Sequence, residues 1–502
     1  MKELLDYIYK EQKELSTFSG IGALLGWDHM TYMPLDGNKE RSEQISLISR
    51  LAHEKFTADK LYENVKKLNE KNALDNLKDN DRAVVLRLEK DIEKSRKVPS
   101  DFVERMSKVT TIAYAAWQEA KNTSNFSIFK NHLEKIVELE KEYCKYINLP
   151  GPMYNSLLDD YEEGMTVDKL NLEFNHLKSE LRKILEKITS SEIYKKQRPF
   201  NRKFPEEKQR KICNLIMQRI NLPKSRSRLD VSSHPFTTSM GYDDVRITTN
   251  YERENPLFSF FSTVHEAGHA LYELGLPKDK FRDTVISDSP SLGLHESQSR
   301  FWENMIARSK NFWKFFYPEF QNVASGKLDD VDIIQWYKYV NQVKPSLIRV
   351  EADELTYCLH VILRYEIELD LIEGEMSVSE LPQVWNDKMD YLLGVTPKND
   401  AEGILQDMHW SGGSIGYFPT YAIGTIYASQ LFKKLSEEHP NIYNDIEKGE
   451  FKSILNWLDK NIHKFGRLMN ADEIIKNACG EGLNSKVFIA YLKNKYYELY
   501  QI

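Results

Sequence analysis

The sequence predicts a mainly α-helical fold with one small β-hairpin or sheet set just before a well-capped helix. Two observations carry this. Apolar residues recur at helical spacing along most of the chain, and a single stretch, 231–251, alternates instead. A length of 502 residues alone suggests two to four domains. No Pro-rich or Gly/Ser-rich linker and no fixed-period repeat divides the chain, however. The expectation is one unit over residues 1–502, with a helical N-terminal region of about 1–220 and a region of about 221–502 that holds the small sheet and the motifs analysed below. The segment Gly151 to Gly164, with Pro152 and Asp159-Asp160, reads as a long polar connection and a weak boundary.

The elements follow in order. Leu4, Leu5, Ile8 and Tyr9 share one helix face, as do Val85, Leu88 and Ile92 in a segment that stops before Pro99. Pro99-Ser100 opens a helix over Asp101 to about Lys121, with Phe102, Met106 and Ala113 inward. Glu134–Tyr146 and Val167 to about Lys187 repeat the pattern. Thr237, Thr238, Val245, Ile247, Thr248 and Thr249 surround the turn residues Gly241-Tyr242-Asp243-Asp244, which predicts a hairpin or small sheet. A helix then begins at the N-cap Asn255 with Pro256 at its first position. Gly275 suits its C-terminal cap, and Pro277 forbids continuation. Helical spacing returns from Gly293 to Phe316, with Phe301, Met305 and Trp313 inward, and again from Ile348 toward Gly374.

Composition excludes several classes. The net charge of −7 is spread without acidic or basic blocks, so no nucleic-acid footprint is expected. Cys144, Cys213, Cys358 and Cys479 lie far apart and form no CxxC pair, which argues against a disulfide framework and a thiolate metal site. The start, Met1-Lys2-Glu3-Leu4-Leu5-Asp6, turns charged too soon for a signal peptide. Apolar runs such as Gly20–Trp27 and Tyr421–Ala428 are too short to span a membrane. The expected location is the cytoplasm.

Residues 265–269 read His-Glu-Ala-Gly-His. On a helix, His265 and His269 are one turn apart on one face, so both imidazoles reach one Zn²⁺ at about 2.0–2.1 Å. Glu266 is rotated by about 100° from His265. It flanks the metal without ligating it, which suits a base for an activated water. Gly268 predicts a close neighbour against that turn. A helix with two unrelated histidines is the alternative, but the caps and a downstream carboxylate weigh against it. A catalytic zinc needs a third protein ligand and one open position. Glu296, or its neighbour His295, can supply that ligand from a second helix after a loop (Pro277 to Pro290). Spacing does not choose between them.

With these residues in view, the chain resembles the carboxypeptidase Taq family, thermostable metallocarboxypeptidases of the gluzincin type. The resemblance rests on His234-Pro235-Phe236; Asp244 to Thr248; His265 to His269; His295-Glu-Ser-Gln298; Ile348-Arg349 to Ala352-Asp353; and Gly403 to Gln406-Asp407 and His409-Trp410. Ala23 to Asp28, Met33-Pro34, Leu47 to Lys55 and Gly416 to Tyr421 add to it. It implies a helical fold with a deep cleft, a homodimer, and release of single C-terminal residues from peptides with broad preference. It implies zinc on His265, His269 and Glu296, and Glu266 as general base; cobalt is an expected substitute, as zinc sites tolerate it.

The other motif residues take expected roles from chemistry. A carboxypeptidase must recognise a free carboxylate, and arginine's planar fork does this best. Arg349 is the first candidate and Arg246 the second; a strand-edge ion pair with Asp244 is the alternative for Arg246. The hairpin bearing His234 and Arg246 is expected to line the groove, and Gln298 and Asp244 are placed with the substrate-binding set. His409 and Tyr421 are candidates for stabilising the oxyanion; core packing is the alternative for Tyr421, and the expected role of Trp410. An endopeptidase with the same metal site and a catalytically idle peptide-binding protein are the rival readings.

Overall fold

A computed structural model describes all 502 residues as 23 α-helices and one three-stranded sheet. The helices expected from spacing are present. Ser100–Thr123 begins at the Pro99-Ser100 step, and Phe126–Ile147 and Val167–Ser190 follow. None is long and apolar enough to cross a membrane.

Three expectations needed correction. The polar connection at 151–164 holds a helix, Tyr154–Tyr161, whose residues Tyr154 to Leu158 are buried. Its aspartates are not free as a linker's would be: Lys94 pairs with Asp159 and Asp160 at 2.7 and 2.8 Å. The helix expected from Ile348 begins only at Tyr357, after one 3₁₀ turn at Arg349–Glu351. The Asp353 carboxylate accepts the amides of Leu355 and Thr356, a side-chain turn that competes with helix. Downstream of His295, the helix Leu292–Arg300 passes through a wider π-helical turn, Phe301–Ala307, before Lys310–Ala324.

The sheet comprises β1 (Ser227–Val231), β2 (Thr237–Gly241) and β3 (Asp244–Thr249), in the order β1-β3-β2. The β2–β3 hairpin turns where Gly241 to Asp244 predicted, and β1, which starts ahead of the expected region, adds in parallel to β3. Val245 and Ile247 are fully buried. The sheet is tied to the helix bearing the two histidines. Thr249 Oγ1 lies 2.7 Å from Ser262 Oγ, and Thr237 reaches Glu266. On its other side the sheet meets the first helix, Lys2–Thr31, so closely that a Cβ at Gly20 would strike the Met240 carbonyl oxygen at 2.5 Å.

The main core runs from Ala113 to Tyr500, so helices before residue 220 share it with the metal-site region. A small second core unites Ile8, Leu61, Val65, Leu68, Leu77, Val85, Leu88 and Ile92. Ion pairs join this N-terminal lobe to the body, among them Arg87–Glu163 at 2.6 Å and Arg467–Asp91 at 2.8 Å.

Close approaches at glycines place the metal-site helices. Pro256–Gly275 carries the histidines. Gly275 lies within this helix rather than after it in a left-handed cap; it is needed because a Cβ would meet the His463 ring. At Gly268 a Cβ would lie 2.7 Å from the Gln298 carbonyl oxygen and 2.8 Å from Ser299 Cα. The helix Pro419–Glu438 presses on the same short helix from another side, and a Cβ at Gly424 would lie 2.7 Å from Glu296 Cβ and Cγ.

Gly268→Ala tests this packing. Helix propensity alone favours alanine by about 1 kcal/mol. The backbone atoms at Gln298 and Ser299 cannot rotate away, and overpacking of this kind costs about 1–3 kcal/mol or more. The variant is expected to unfold at lower urea than the parent; an unchanged or higher midpoint would contradict the packing account.

Candidate active site

His265 and His269 project from one face of their helix, with ring centroids 4.9 Å apart. Glu296 approaches from the second helix and places Oε2 3.5 Å from His265 Nε2 and 3.3 Å from His269 Nε2. One ligand atom from each residue lies within 4.8 Å of the others. The His265, His269 and Glu296 side chains are 18%, 15% and 6% exposed, so the cluster is recessed but reachable from one side.

The residues fit a divalent metal. Each histidine has its Nδ1 engaged by the protein, which leaves Nε2 for a metal. His265 Nδ1 lies 2.9 Å from Glu303 Oε2, and His269 Nδ1 lies 2.6 Å from His295 Nδ1. His295 Nε2 lies 2.8 Å from Glu273 Oε1. His295 therefore stands behind His269, not beside Glu296. With His269 Nε2 given to a metal, its Nδ1–H donates to His295, and His295 donates onward to Glu273. Such outer contacts fix tautomer and ring orientation. Two histidines and one carboxylate form the donor set of a catalytic zinc site.

Charge is arranged to suit. Arg300 Nε donates to Glu296 Oε1 at 2.7 Å, Ser299 Oγ donates to Glu296 Oε2 at 2.8 Å, and Arg300 Nη1 reaches Glu303 at 3.1 Å. Burial raises the Glu296 pKa, but Arg300 and His265 outweigh it and hold the carboxyl well below its usual range. Burial and the neighbouring His295 push His269 down to about 3, so it is neutral, as a ligand must be. Burial also acts downward on His265, but Glu296 and Glu303 outweigh it and raise its pKa.

Glu266 is buried beside this cluster, and its Oε2 accepts from Thr237 Oγ1 on β2 at 2.6 Å. Burial raises its pKa, against the pull of His265. His409 and Tyr421 come together, with Nε2 3.3 Å from Oη. Burial and Arg349 push His409 down to about 4, and burial raises Tyr421.

Arg349 is only 5% exposed. Its Nη2 donates to Asp407 Oδ1 at 2.8 Å and its Nη1 to Tyr357 Oη at 3.1 Å, and its guanidinium lies 4.9 Å from the Tyr421 ring centre. The fully buried Arg364 donates to the other Asp407 oxygen, Nε to Oδ2, at 2.7 Å. Two guanidinium groups thus share one carboxylate, a net positive cluster. Arg246 forks onto Asp244 at 2.9 and 2.8 Å and stacks 4.3 Å from the Trp27 ring centre, the ion pair foreseen as its alternative. His234 is exposed. Gln298 is 1% exposed, its amide nitrogen donating to Ser297 Oγ and its amide oxygen facing His463 Nε2. Two residues along a helix is a turn of about 200°, which points Gln298 away from the face bearing Glu296. Trp410 is buried, as expected.

Sequence reasoning missed Glu273, Arg300, Glu303, Thr237 and Arg364. Arg300 and Glu303 carried a signal: they are charges four and seven positions after Glu296, which is helical spacing on one face. Thr237 carried none, since its contact depends on how the sheet docks.

A two-histidine, one-carboxylate centre with a flanking glutamate on the same helix defines a metal-dependent hydrolase of the HExxH class. Residues 7–496 match the Carboxypeptidase Taq (M32) metallopeptidase family, and the chain belongs to that family. It is 38% identical over 499 residues to Carboxypeptidase 1 of Bacillus subtilis, covering 99% of this chain and 98% of the relative. Among solved structures, it matches an M32 carboxypeptidase from Deinococcus radiodurans with a TM-score of 0.95 at 32% identity, covering 100% of both chains. A Pyrococcus furiosus carboxypeptidase matches at 0.93 and 37%, covering 99% of each. The protein is a metallocarboxypeptidase, a peptide hydrolase.

Glu303→Gln is expected to weaken metal binding about 10- to 100-fold by releasing His265 Nδ1, and Glu296→Ala to weaken it further. Competition with a chromophoric chelator measures both. Parent-like affinity in either variant would remove that residue from the metal site.

Proposed function

We propose that this enzyme removes single residues from peptide C-termini with broad preference, using zinc held by His265, His269 and Glu296, and Glu266 as general base. The observation that carries this is the convergence of the three ligand atoms beside a glutamate already oriented by Thr237. When bound, zinc supplies Lewis acidity toward the scissile carbonyl and lowers the pKa of water. Thr237 holds one oxygen of Glu266, leaving the other to take the proton of the attacking water and pass it to the leaving nitrogen. Tyr421, whose raised pKa keeps it protonated, donates to the developing oxyanion while neutral His409 orients its hydroxyl. The edge strand β2, next to Glu266, offers backbone hydrogen bonds to an extended peptide.

Recognition of the terminal carboxylate is assigned to the net positive cluster around Asp407, with Arg349 nearest the metal site through Tyr357. Arg246, closed onto Asp244, is the second choice. The family resemblance supports a homodimer, and four unpaired cysteines fit a reducing cytoplasm.

Two measurements test this. Glu266→Gln should retain zinc and lose most turnover, because an amide cannot take the proton; parent-like turnover would remove Glu266 as base. The parent should cleave a free-acid peptide far better than its C-terminal amide. Truncating one partner of a buried charge contact costs about 2–5 kcal/mol, so Arg349→Ala should lower kcat/KM for the acid roughly 30- to 5000-fold and hardly affect the amide. Equal cleavage of acid and amide by the parent would point to an endopeptidase. Equal discrimination by parent and variant would move the clamp to Arg246.

A further inference from the structure

The buried carboxylate of Glu368 belongs to none of the roles above. It lies on the helix Tyr357–Glu373 and is fully buried. Its Oε1 accepts from Trp410 Nε1 at 2.7 Å. Its Oε2 accepts from Tyr154 Oη at 2.6 Å and from the Gly416 amide at 3.0 Å. Trp410 and Gly416 are the two ends of one loop. His409 immediately precedes that loop and Tyr417 immediately follows it. Their rings stand 5.3 Å apart, and Tyr417 stands 5.3 Å from Tyr421.

We infer that Glu368 is a positioning residue for catalysis: one carboxylate staples both ends of the 410–416 loop and so sets His409, Tyr417 and Tyr421 against one another at the substrate side of the site. The inference rests on the reading of His409 and Tyr421 as the oxyanion pair. Gly416 shows how tight the staple is. It has φ of 92°, in the left-handed region, and a Cβ there would lie 2.9 Å from the Leu157 backbone. Its backbone thus packs against Leu157 on the side a Cβ would occupy, while its amide donates to Glu368. A carboxylate is the group that can serve here, because it accepts on both oxygens and donates nothing. A glutamine of the same shape turns an N–H toward at least one of the three donors.

The staple also depends on protonation. Burial pushes the Glu368 carboxyl up to about 7, against the bonds from Tyr154, Trp410 and Gly416 and the charge of Arg364 one turn away. Glu140 from the helix Phe126–Ile147 and Tyr161 from Tyr154–Tyr161 face it as well. The ionised form, which accepts all three bonds on its two oxygens, predominates above that pH and is lost as pH falls through it.

The test compares the zinc-loaded parent with Glu368→Gln and Trp410→Phe. Hydrogen bonds to charged groups are strong enough that their loss is worth about tenfold or more. Glu368→Gln is expected to lower kcat about tenfold at pH 8, with KM and zinc content unchanged. The gap should narrow at pH 6, where the parent carboxyl is itself protonated. Trp410→Phe removes one donor only; it should cost less, and the double variant should be no worse than Glu368→Gln. The ¹H–¹⁵N indole signal of Trp410, identified by its loss in Trp410→Phe, should move in Glu368→Gln whatever the activity. Parent-level kcat at pH 8, a loss explained by missing zinc, or a gap constant from pH 6 to 8 would each overturn the inference. If Glu368→Gln behaves as expected while His409→Ala and Tyr421→Phe keep parent kcat, the oxyanion reading fails and the staple stands, acting through Tyr417.

Discussion

The centre depends on how closely the helix carrying Glu296 can lie against the helix carrying the two histidines. A glutamate side chain is short, and the ligand atoms must gather within a few ångströms of one point. Gly268 lets the Gln298–Ser299 backbone approach the histidine helix, and Gly424 lets a third helix press against the stem of Glu296. Gly293, at the start of the same short helix, leaves room for the Glu162 carboxylate, which accepts the Gly293 amide at 2.9 Å. A short helix held at three points has little freedom to withdraw its ligand. This follows from close packing, where a single added methyl group is felt.

Electrostatics complete what packing begins. Glu296 and Glu303 are matched by Arg300 and Arg308, two anions against two cations, with Arg308 Nη2 3.2 Å from Glu303. Buried charges are costly unless paired and fully hydrogen-bonded. Here the pairing keeps Glu296 ionised and ready. Arg300 also stacks 4.1 Å from the centre of the Tyr357 ring, and Tyr357 in turn accepts from Arg349. The metal centre and the Arg349–Asp407–Arg364 cluster are therefore neighbours across one aromatic wall. That adjacency is what an exopeptidase needs: the bond to be cut and the terminal charge to be recognised are one residue apart in the substrate.

Much of this was legible in the sequence. The histidine pair, Glu266 and the helix that bears them could be read from helical geometry and end signals. Gly268 announced a close neighbour, and the alternation at Val245–Ile247 announced the sheet. Other features were hidden because they depend on contacts between distant segments. Polarity at Asp159-Asp160 looked like a linker, yet it serves ion pairs with a distant helix. The Asp353 side-chain turn delayed a helix that spacing alone would have begun at Ile348. Gln298 shared a motif with Glu296 but points the other way. Arg349 was recognisable as an important cation, but its burial was not: Asp407 comes from a distant segment, and Tyr357, though close in sequence, meets Arg349 across a stretch that is not the continuous helix spacing suggested.

The central claim is that the site consumes peptides one residue at a time from the carboxyl end. Mass spectrometry of a mixed peptide pool, sampled over time with the zinc-loaded enzyme, tests it most directly. The account predicts nested ladders, each product shorter than the last by one C-terminal residue, with N-termini intact. Internal fragments carrying new N-termini, or release of dipeptides as the first product, would contradict it.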